Sequence, residues 1–168
     1  MSPFIDRGPA RWTIRDARPE DIDVLVVFNR ALASETESKE LDAQVLRRGL
    51  VAALADPERL RYWVAEEEGA VIGQIAVTRE WSDWRCGWIW WLQSVYVAEP
   101  GRSRGVFRSL YRSVHEAAKS TSDVIGIRLY VEHQNGPARA TYLALGLNPA
   151  GYDVFEDLWI VPANTLAD

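Results

Sequence analysis

Residues 88–108 read WIWWLQSVYVAEPGRSRGVFR and hold the most informative pattern in the chain. The first half, Trp88 to Val97, is almost continuously apolar, as expected for a β-strand that is buried on both faces of a sheet. The second half is a short basic loop that runs into helical spacing. The pattern predicts a strand in the centre of a sheet, followed directly by a basic loop and a helix.

The basic loop, residues 102–108, has the composition of an anion-binding site. Free backbone N–H groups at a helix N-terminus bind phosphate groups, and a glycine such as Gly105 lets a ligand approach the backbone closely. The glycine spacing differs from that of nucleotide hydrolases and of dinucleotide-binding proteins. The loop therefore favours a different ligand with a diphosphate, such as coenzyme A.

Length and composition describe an ordinary globular protein. We expect all 168 residues to form a single domain, with a flexible lead-in at 1–11. The single cysteine, Cys86, and the lack of zinc-type Cys/His spacing predict neither disulfides nor a metal site. With no signal-peptide or membrane-span pattern, we expect a cytoplasmic protein without a membrane partner. The net charge of −5 argues against a nucleic-acid partner.

Periodicity, turns and caps predict the other elements. Strands are expected at 12–18, 60–66, 70–78, 88–97, 124–132 and Gly151–Val161. Helices are expected at 22–32 and 41–54, joined by an acidic loop at 34–40, then after the basic loop within 101–119, and at 135–145 with Gly146 as the C-cap. The predicted order is βααβββαβαβ, with a hairpin turn at 67–69.

Two segments, in the right order, resemble the GNAT acetyltransferase superfamily. The cofactor motif of that superfamily is (Gln/Arg)-x-x-Gly-x-(Gly/Ala), and the matching positions here are Arg102, Gly105 and Phe107. Phe107 departs from the motif because it replaces a small residue. The second segment is Asn135-x-x-Ala138-x-x-x-Tyr142-x-x-x-Gly146. The resemblance implies an α/β GNAT fold, with a mixed, mostly antiparallel sheet of six to seven strands and about four helices.

The resemblance also implies an activity, namely direct transfer of an acetyl group from acetyl-CoA to an amine of a small molecule or peptide. Asn135 is then expected to contact the pantetheine arm or a bound water, and Tyr142 to act as general acid near the thioester sulfur. The implied cofactor-binding residues are Val95, Tyr96, Val97, Arg102, Ser103, Arg104, Gly105, Val106, Phe107, Arg108, Asn135, Ala138 and Tyr142.

The chemistry of acetyl transfer adds three expectations. An alkyl amine with a pKa near ~10.4 is mostly protonated at pH 7, so a base must help to form the nucleophile. Glu35 and Glu37, in the predicted acidic loop, are the candidates, acting directly or through water. Backbone N–H groups of Val95 and Val97, where the strand splays from its neighbour, can stabilise the developing oxyanion.

Each of these residues also has a plain structural interpretation. Asn135 precedes Pro137 and has the pattern of a helix N-cap. Tyr142 can be a packed aromatic residue, and Glu35 and Glu37 can belong to a solvated loop. Arg104, Arg108 and Arg112 can form a solvated helix face. Only the joint occurrence of both motifs favours the functional interpretation.

The tryptophans at 81–91, with Glu80 and Asp83, indicate either a cation-binding aromatic surface or packing. Trp90 and Trp91 must face opposite sides of their strand. Together with the acidic loop, this composition favours a cationic amine as the acceptor. Two rival functions stay open, a non-catalytic acyl-CoA-binding sensor and a Trp-rich interaction domain. A homodimer is compatible with catalysis.

Overall fold

The computed structural model describes residues 11–159, so most of the lead-in predicted at 1–11 lies outside the described residues. The elements, in chain order, are β1 (Thr13–Asp16), α1 (Ile22–Glu37), α2 (Ala43–Ala55), β2 (Arg61–Glu67), β3 (Ala70–Ser82), β4 (Gly87–Val97), α3 (Val106–Ser120), β5 (Val124–Leu129) and α4 (Gly136–Ala144). Short 3-10 turns, Pro19–Asp21 and Glu99–Gly101, precede α1 and α3. The predicted α/β class is confirmed.

The sheet has the strand order β1-β2-β3-β4-β5. The first four strands are antiparallel to their neighbours, and β5 is parallel to β4. Glu68 and Gly69, with φ of +52° and +80°, form the two-residue turn between β2 and β3. The mixed, mostly antiparallel sheet is confirmed, but residues 11–159 contribute five strands and not six to seven. β4 is therefore next to the edge strand and not in the middle of the sheet.

The strand predicted at Gly151–Val161 is not formed by residues 151–159, and its last two residues lie outside the described part. A strand needs side chains that alternate between two faces. Here Tyr152 and Val154 alternate with Asp153, but Phe155 and the adjacent acids Glu156 and Asp157 break the alternation. These residues follow α4 as an exposed, irregular segment without a ladder partner among the described strands.

The predicted acidic loop is shorter than expected because α1 continues to Glu37. Its apolar face extends through Ala33, which is buried, and glutamate is a good helix former. Ser38, with a left-handed φ of +53°, ends the helix. Glu35 and Glu37 therefore lie on the last turn of α1.

The two faces of the sheet carry separate cores. On one face, α3 packs Leu110 and Val114 against a cluster that includes Trp90 and Ile75. On the other face, α1 and α2 pack against a second cluster, Leu25, Val26, Leu50, Tyr62, Val64 and Ala76. Trp90 therefore belongs to the α3 side of β4, and Trp91, one residue later, belongs to the α1 side, as predicted from strand alternation.

A β-bulge interrupts the pairing of β3 with β4. Gln74 pairs with Tyr96 and Ala76 pairs with Gln93, so Ile75 lies opposite two residues of β4. One of these two, Ser94, has a left-handed φ of +49°. The fully buried Gln74 holds the bulge, because its Nε2 donates to the Ser94 carbonyl at 3.0 Å.

Arg15 on β1 and Asp21 before α1 form a largely buried ion pair. The guanidinium donates to both carboxylate oxygens, at 2.7 and 3.0 Å, and the Arg18 N–H donates to Oδ2 at 2.7 Å. Burial raises the pKa of Asp21, but these hydrogen bonds outweigh burial and leave the pKa below its ordinary value. The resulting stabilisation is complete above the ordinary pKa of 3.8 and is lost as the pH falls through the lower pKa of the folded state.

We expect Asp21→Asn to lower the free energy of unfolding at pH 7 by about 1–3 kcal/mol, because two donors lose a charged acceptor. Urea unfolding at pH 7 and at about pH 3 should give a smaller pH dependence for the variant than for the wild type. Asp23→Asn is the control, since its carboxylate is 80% exposed and pairs with Arg47 only at the surface. An unchanged pH dependence in Asp21→Asn would contradict the assignment.

Candidate functional site

β4 separates from β5 just before the bulge. The parallel pairing ends at Leu92, opposite Leu129, and residues 93–97 have no ladder partner on that side within the described chain. The Ala98 N–H donates to Ile72 on the β3 side at 3.0 Å. Because backbone groups alternate along a strand, those of Val95 and Val97 point away from β3, into the gap that β5 leaves open.

The basic loop follows at the end of β4. Ser103 and Gly105 both have left-handed backbones, with φ of +59° and +97°. A Cβ on Gly105 would meet no atom within 4 Å, so glycine is needed for conformation and not for space. They flank Arg104, which has no left-handed φ, and loops that alternate left- and right-handed residues in this way turn their N–H groups toward one concave side and bind anions.

The first turn of α3 leaves its backbone donors open. Gly105 is the N-cap and offers no side-chain acceptor, and the Ser109 N–H makes the hydrogen bond that closes the turn, to the Gly105 carbonyl at 3.1 Å. The N–H groups of Val106, Phe107 and Arg108 therefore have no acceptor within the helix. These donors, at the positive end of the helix dipole, fit a diphosphate.

The loop arginines are already paired with carboxylates. Arg104 forms a bidentate ion pair with Glu67 and also donates to the Pro100 carbonyl. Arg102 donates from Nε to the Val97 carbonyl at 2.9 Å and from Nη2 to Glu35 at 2.7 Å. Their side chains therefore brace the loop from outside, and the open donors are those of the backbone. Hydrogen bonding to Arg104 lowers the pKa of Glu67.

Glu35 and Glu37 are in different surroundings. Both oxygens of Glu35 are engaged, because Oε1 accepts from the Tyr96 hydroxyl at 2.9 Å and Oε2 accepts from Arg102. Burial, followed by the bond to Glu35, raises the pKa of Tyr96. Glu37 pairs with Lys39 at 2.7 Å on the exposed surface. The structure brings Glu35, but not Glu37, into contact with the end of β4.

Phe107 and Tyr142 meet at the junction of α3 and α4. Their rings are 5.8 Å apart in an edge-on arrangement, and Phe107 also lies 6.2 Å from Tyr111. The Phe107 side chain thus packs beside the α3 core and leaves its own backbone N–H exposed at the loop. Burial raises the pKa of Tyr142 above its ordinary value of 10.0, so its hydroxyl stays protonated at neutral pH.

Asn135 is the N-cap of α4, as its plain structural interpretation predicted. Its Oδ1 accepts from the Ala138 N–H at 3.2 Å, and its own N–H donates to the Glu132 carbonyl at 3.1 Å. The side-chain Nδ2 makes no hydrogen bond to the described residues. A cofactor role for Asn135 is therefore compatible with its capping role.

Sequence reasoning did not predict that a polar and aromatic cluster forms on the α1 face of the sheet. Glu80 of β3 accepts from the Trp91 indole at 2.6 Å and from Arg128 of β5 at 3.2 Å. Tyr130 stacks on Trp91 with ring centroids 4.4 Å apart. Glu80 is thus already engaged by Trp91 and Arg128, and the cation-binding surface stays a prediction. Only the strand register could have indicated this cluster from the sequence, because Arg128 lies directly opposite Trp91 when β5 is parallel to β4.

Trp91, Arg128 and Tyr130 line a wide groove that continues beneath the last turn of α1 and around β5 to Tyr142. Within residues 11–159 there is no group of His, Cys, Asp and Glu residues that could hold a metal ion. No helix in this range has the length and apolar character needed to cross a membrane.

Comparison with known proteins gives consistent matches. Residues 26–147 match the family model described as Acetyltransferase (GNAT) family. The aminoalkylphosphonate N-acetyltransferase of Salmonella typhimurium is 31% identical over 106 residues. That alignment covers 63% of this chain and 66% of the relative, so the chain spans about two thirds of the relative's length.

Solved structures agree with the observed fold. A possible acetyltransferase from Clostridium difficile 630 is 41% identical, with a TM-score of 0.83 over 89% of this chain and 99% of that one. A predicted acetyltransferase from Clostridium acetobutylicum, solved with acetyl-CoA, is 20% identical, with a TM-score of 0.71 over 87% of this chain and 96% of that one. The second likeness concerns the fold alone.

We expect Gly105→Ala to destabilise the protein by about 1–2 kcal/mol, because an L-residue must adopt a left-handed backbone at this position. Gly49→Ala is the matched control: Gly49 lies within α2, has open space around its Cα, and should gain up to about 1 kcal/mol on substitution. Thermal unfolding of both variants measures the difference. A neutral Gly105→Ala would mean that the loop does not require this backbone conformation.

Proposed function

Because the chain belongs to the GNAT family of acetyltransferases, and is an acyltransferase of that family, we propose that it transfers an acetyl group directly from acetyl-CoA to an amine of a small molecule or peptide. The observation that carries this proposal is the set of open backbone donors at the first turn of α3. They lie at the end of the strand that separates from its neighbour, so diphosphate binding and acyl chemistry can occur side by side.

The cofactor is held mainly by backbone groups in this proposal. The N–H groups of residues 103–108 bind the diphosphate, while Arg102 and Arg104 hold the loop in shape through Glu35 and Glu67. The free amide of Asn135 and the first turn of α4 at Ala138 bind the pantetheine arm. Bound acetyl-CoA supplies the activated acetyl group, and the family uses it as the donor.

The reacting carbonyl lies in the gap between β4 and β5. The N–H groups of Val95 and Val97 stabilise the negative charge that develops on its oxygen, an interaction worth ~3–4 kcal/mol at comparable enzyme sites. Tyr142 gives its proton to the leaving sulfur. Because burial raises the pKa of Tyr142 above 10.0, giving its proton to a thiolate near ~8.5 is uphill by more than about 2 kcal/mol, so the contribution of Tyr142 is modest.

Deprotonation of the amine is assigned to the acidic end of α1. Glu35 is favoured over Glu37 because it lies against Tyr96 of β4, where the acetyl group is delivered. Its two present bonds mean that it accepts the proton through a water or after Arg102 has moved. The Salmonella relative is named for a small aminoalkyl acceptor, which supports a small amine here as well.

Calorimetric titration with acetyl-CoA tests the cofactor site. We expect micromolar binding by the wild type and loss of binding in Arg104→Glu and in Gly105→Asp. The first change places a second carboxylate beside Glu67, and the second places a charge of the wrong sign at the diphosphate. Arg47→Glu on α2 is the control for net charge and should bind normally.

Three outcomes separate the rival functions. No binding by folded wild-type protein would leave the Trp-rich interaction domain, whose exposed Trp84 stands at the tip of the β3–β4 hairpin. Binding without turnover on any amine would leave the non-catalytic sensor. Binding with acetyl transfer supports the proposal.

Tyr142→Phe tests the general acid. We expect kcat to fall about 10- to 100-fold, near the lower limit for acid catalysis, with little change in the KM for acetyl-CoA because the ring still packs on Phe107. Thiol release, followed over a range of pH, is the measurement. An unchanged kcat with every active amine would remove Tyr142 from the mechanism.

A further inference from the structure

Glu80, Trp91, Arg128 and Tyr130 form a cluster, of which the last three line the open groove. Its members lie on three adjacent strands, with Tyr130 directly after β5, and contact one another through hydrogen bonds, ring stacking and a guanidinium 5.8 Å from the Trp91 ring. None of these contacts involves the cofactor loop. The cluster therefore forms a separate feature on the α1 face of the sheet.

Arg128 is the member of the cluster with unused hydrogen-bond donors. Each oxygen of Glu80 accepts one hydrogen bond, from Trp91 and from Arg128. A guanidinium has five N–H donors, and Arg128 uses only Nη1 for a hydrogen bond to the described residues. Its side chain is 28% exposed, so the unused donors can be reached from the groove. Arg128 thus presents unused, pre-oriented donors to the groove.

The distance from Arg128 to the reacting centre can be spanned by one acceptor molecule. Arg128 is opposite Trp91, and Val95 lies four residues further along β4, or about 13 Å at the usual rise of a strand. Gln93 lies between them on the same face and donates to the Thr78 hydroxyl at 2.7 Å. An extended acceptor of about the length of 6-aminohexanoate can contact Arg128 with one end and reach the gap with the other, whereas shorter acids contact Arg128 alone.

We propose that Arg128 binds an acidic group of the acceptor, a carboxylate or a phosphonate, at the end opposite the reacting amine. Glu80 and Trp91 are positioning residues that aim the guanidinium, and Tyr130 forms the apolar wall beside it. The planar fork of arginine matches the oxygens of both acids. The inference rests on the proposed acetyl transfer for its biological meaning, but it concerns a binding site that can be measured without turnover.

The test compares matched amines by calorimetry in the presence of coenzyme A. The pairs are 3-aminopropanoate and 2-aminoethylphosphonate against propylamine, and 6-aminohexanoate against hexylamine. We expect the wild type to prefer an acid-bearing member, and Arg128→Gln to reduce its binding on the order of 10- to 100-fold, as for the loss of charge-assisted hydrogen bonds. Propylamine and hexylamine should be unaffected. The tighter binder of the two short acids, 3-aminopropanoate or 2-aminoethylphosphonate, shows whether the site recognises a carboxylate or a phosphonate.

Arg79→Gln is the matched control. Arg79 is also on the sheet, is 24% exposed and carries the same charge, but it lies opposite Trp90 and pairs with Glu58, on the other face. Arg128→Lys keeps the charge and should retain part of the preference, which covers the case that Arg128→Gln does not fold. Circular dichroism melting checks each variant.

The outcomes separate this inference from the proposed function. No preference for acid-bearing amines in the wild type, or a preference that survives Arg128→Gln or falls equally in Arg79→Gln, overturns the inference. Binding that depends on Arg128, with no acetylated product when acetyl-CoA is supplied in place of coenzyme A, sustains the acid site and refutes the acetyltransferase proposal. Acetylation that does not depend on an acidic group in the amine supports the acetyltransferase proposal and overturns the acid site.

Discussion

The hydrogen bond from Gln74 to the Ser94 carbonyl is the constraint on which the site depends. It holds an extra residue in β4, and a bulge of this kind bends a strand and redirects the rest of it. From Gln93 onward, β4 keeps its pairing with β3 but has no ladder partner on the β5 side within the described chain. The N–H groups of Val95 and Val97 are left without a strand partner in a place where a continuous sheet would have used them.

Charge compensation explains how a protein with a net charge of −5 can present an anion-binding loop. Arg102 and Arg104 are each matched by a carboxylate from another element, Glu35 from α1 and Glu67 from β2. These pairs tie the loop to both sides of the sheet. The attraction for phosphate then comes from fixed N–H dipoles, which need no side-chain rearrangement when a ligand arrives.

Sequence reasoning succeeded where local patterns determine structure. The apolar run of β4, the glycine of the basic loop and the capping Asn135 each depend on near neighbours in the chain. It failed for contacts that depend on register, since Arg128 and Glu80 are 48 residues apart and meet only across three strands. It also ended α1 too early, because the polar residues Glu35 and Glu37 resemble a loop although they occupy the last turn of the helix. It predicted a strand at 151–161, but residues 151–159 have no strand to pair with among the described residues.

The packing of α4 has a thermodynamic consequence. None of its nine residues is fully buried, and it is attached to the α3 core by the Tyr142–Phe107 ring contact and by Leu145 and Leu147 directly after it. Segments with little buried surface open locally at a small free-energy cost, well below that of global unfolding. Tyr142 is therefore mounted on a helix whose backbone amides exchange with solvent sooner than those of α3. A ligand that contacts α4 must offset the conformational entropy that α4 loses when it becomes ordered. The ordering is measured as slower hydrogen exchange of the α4 amides.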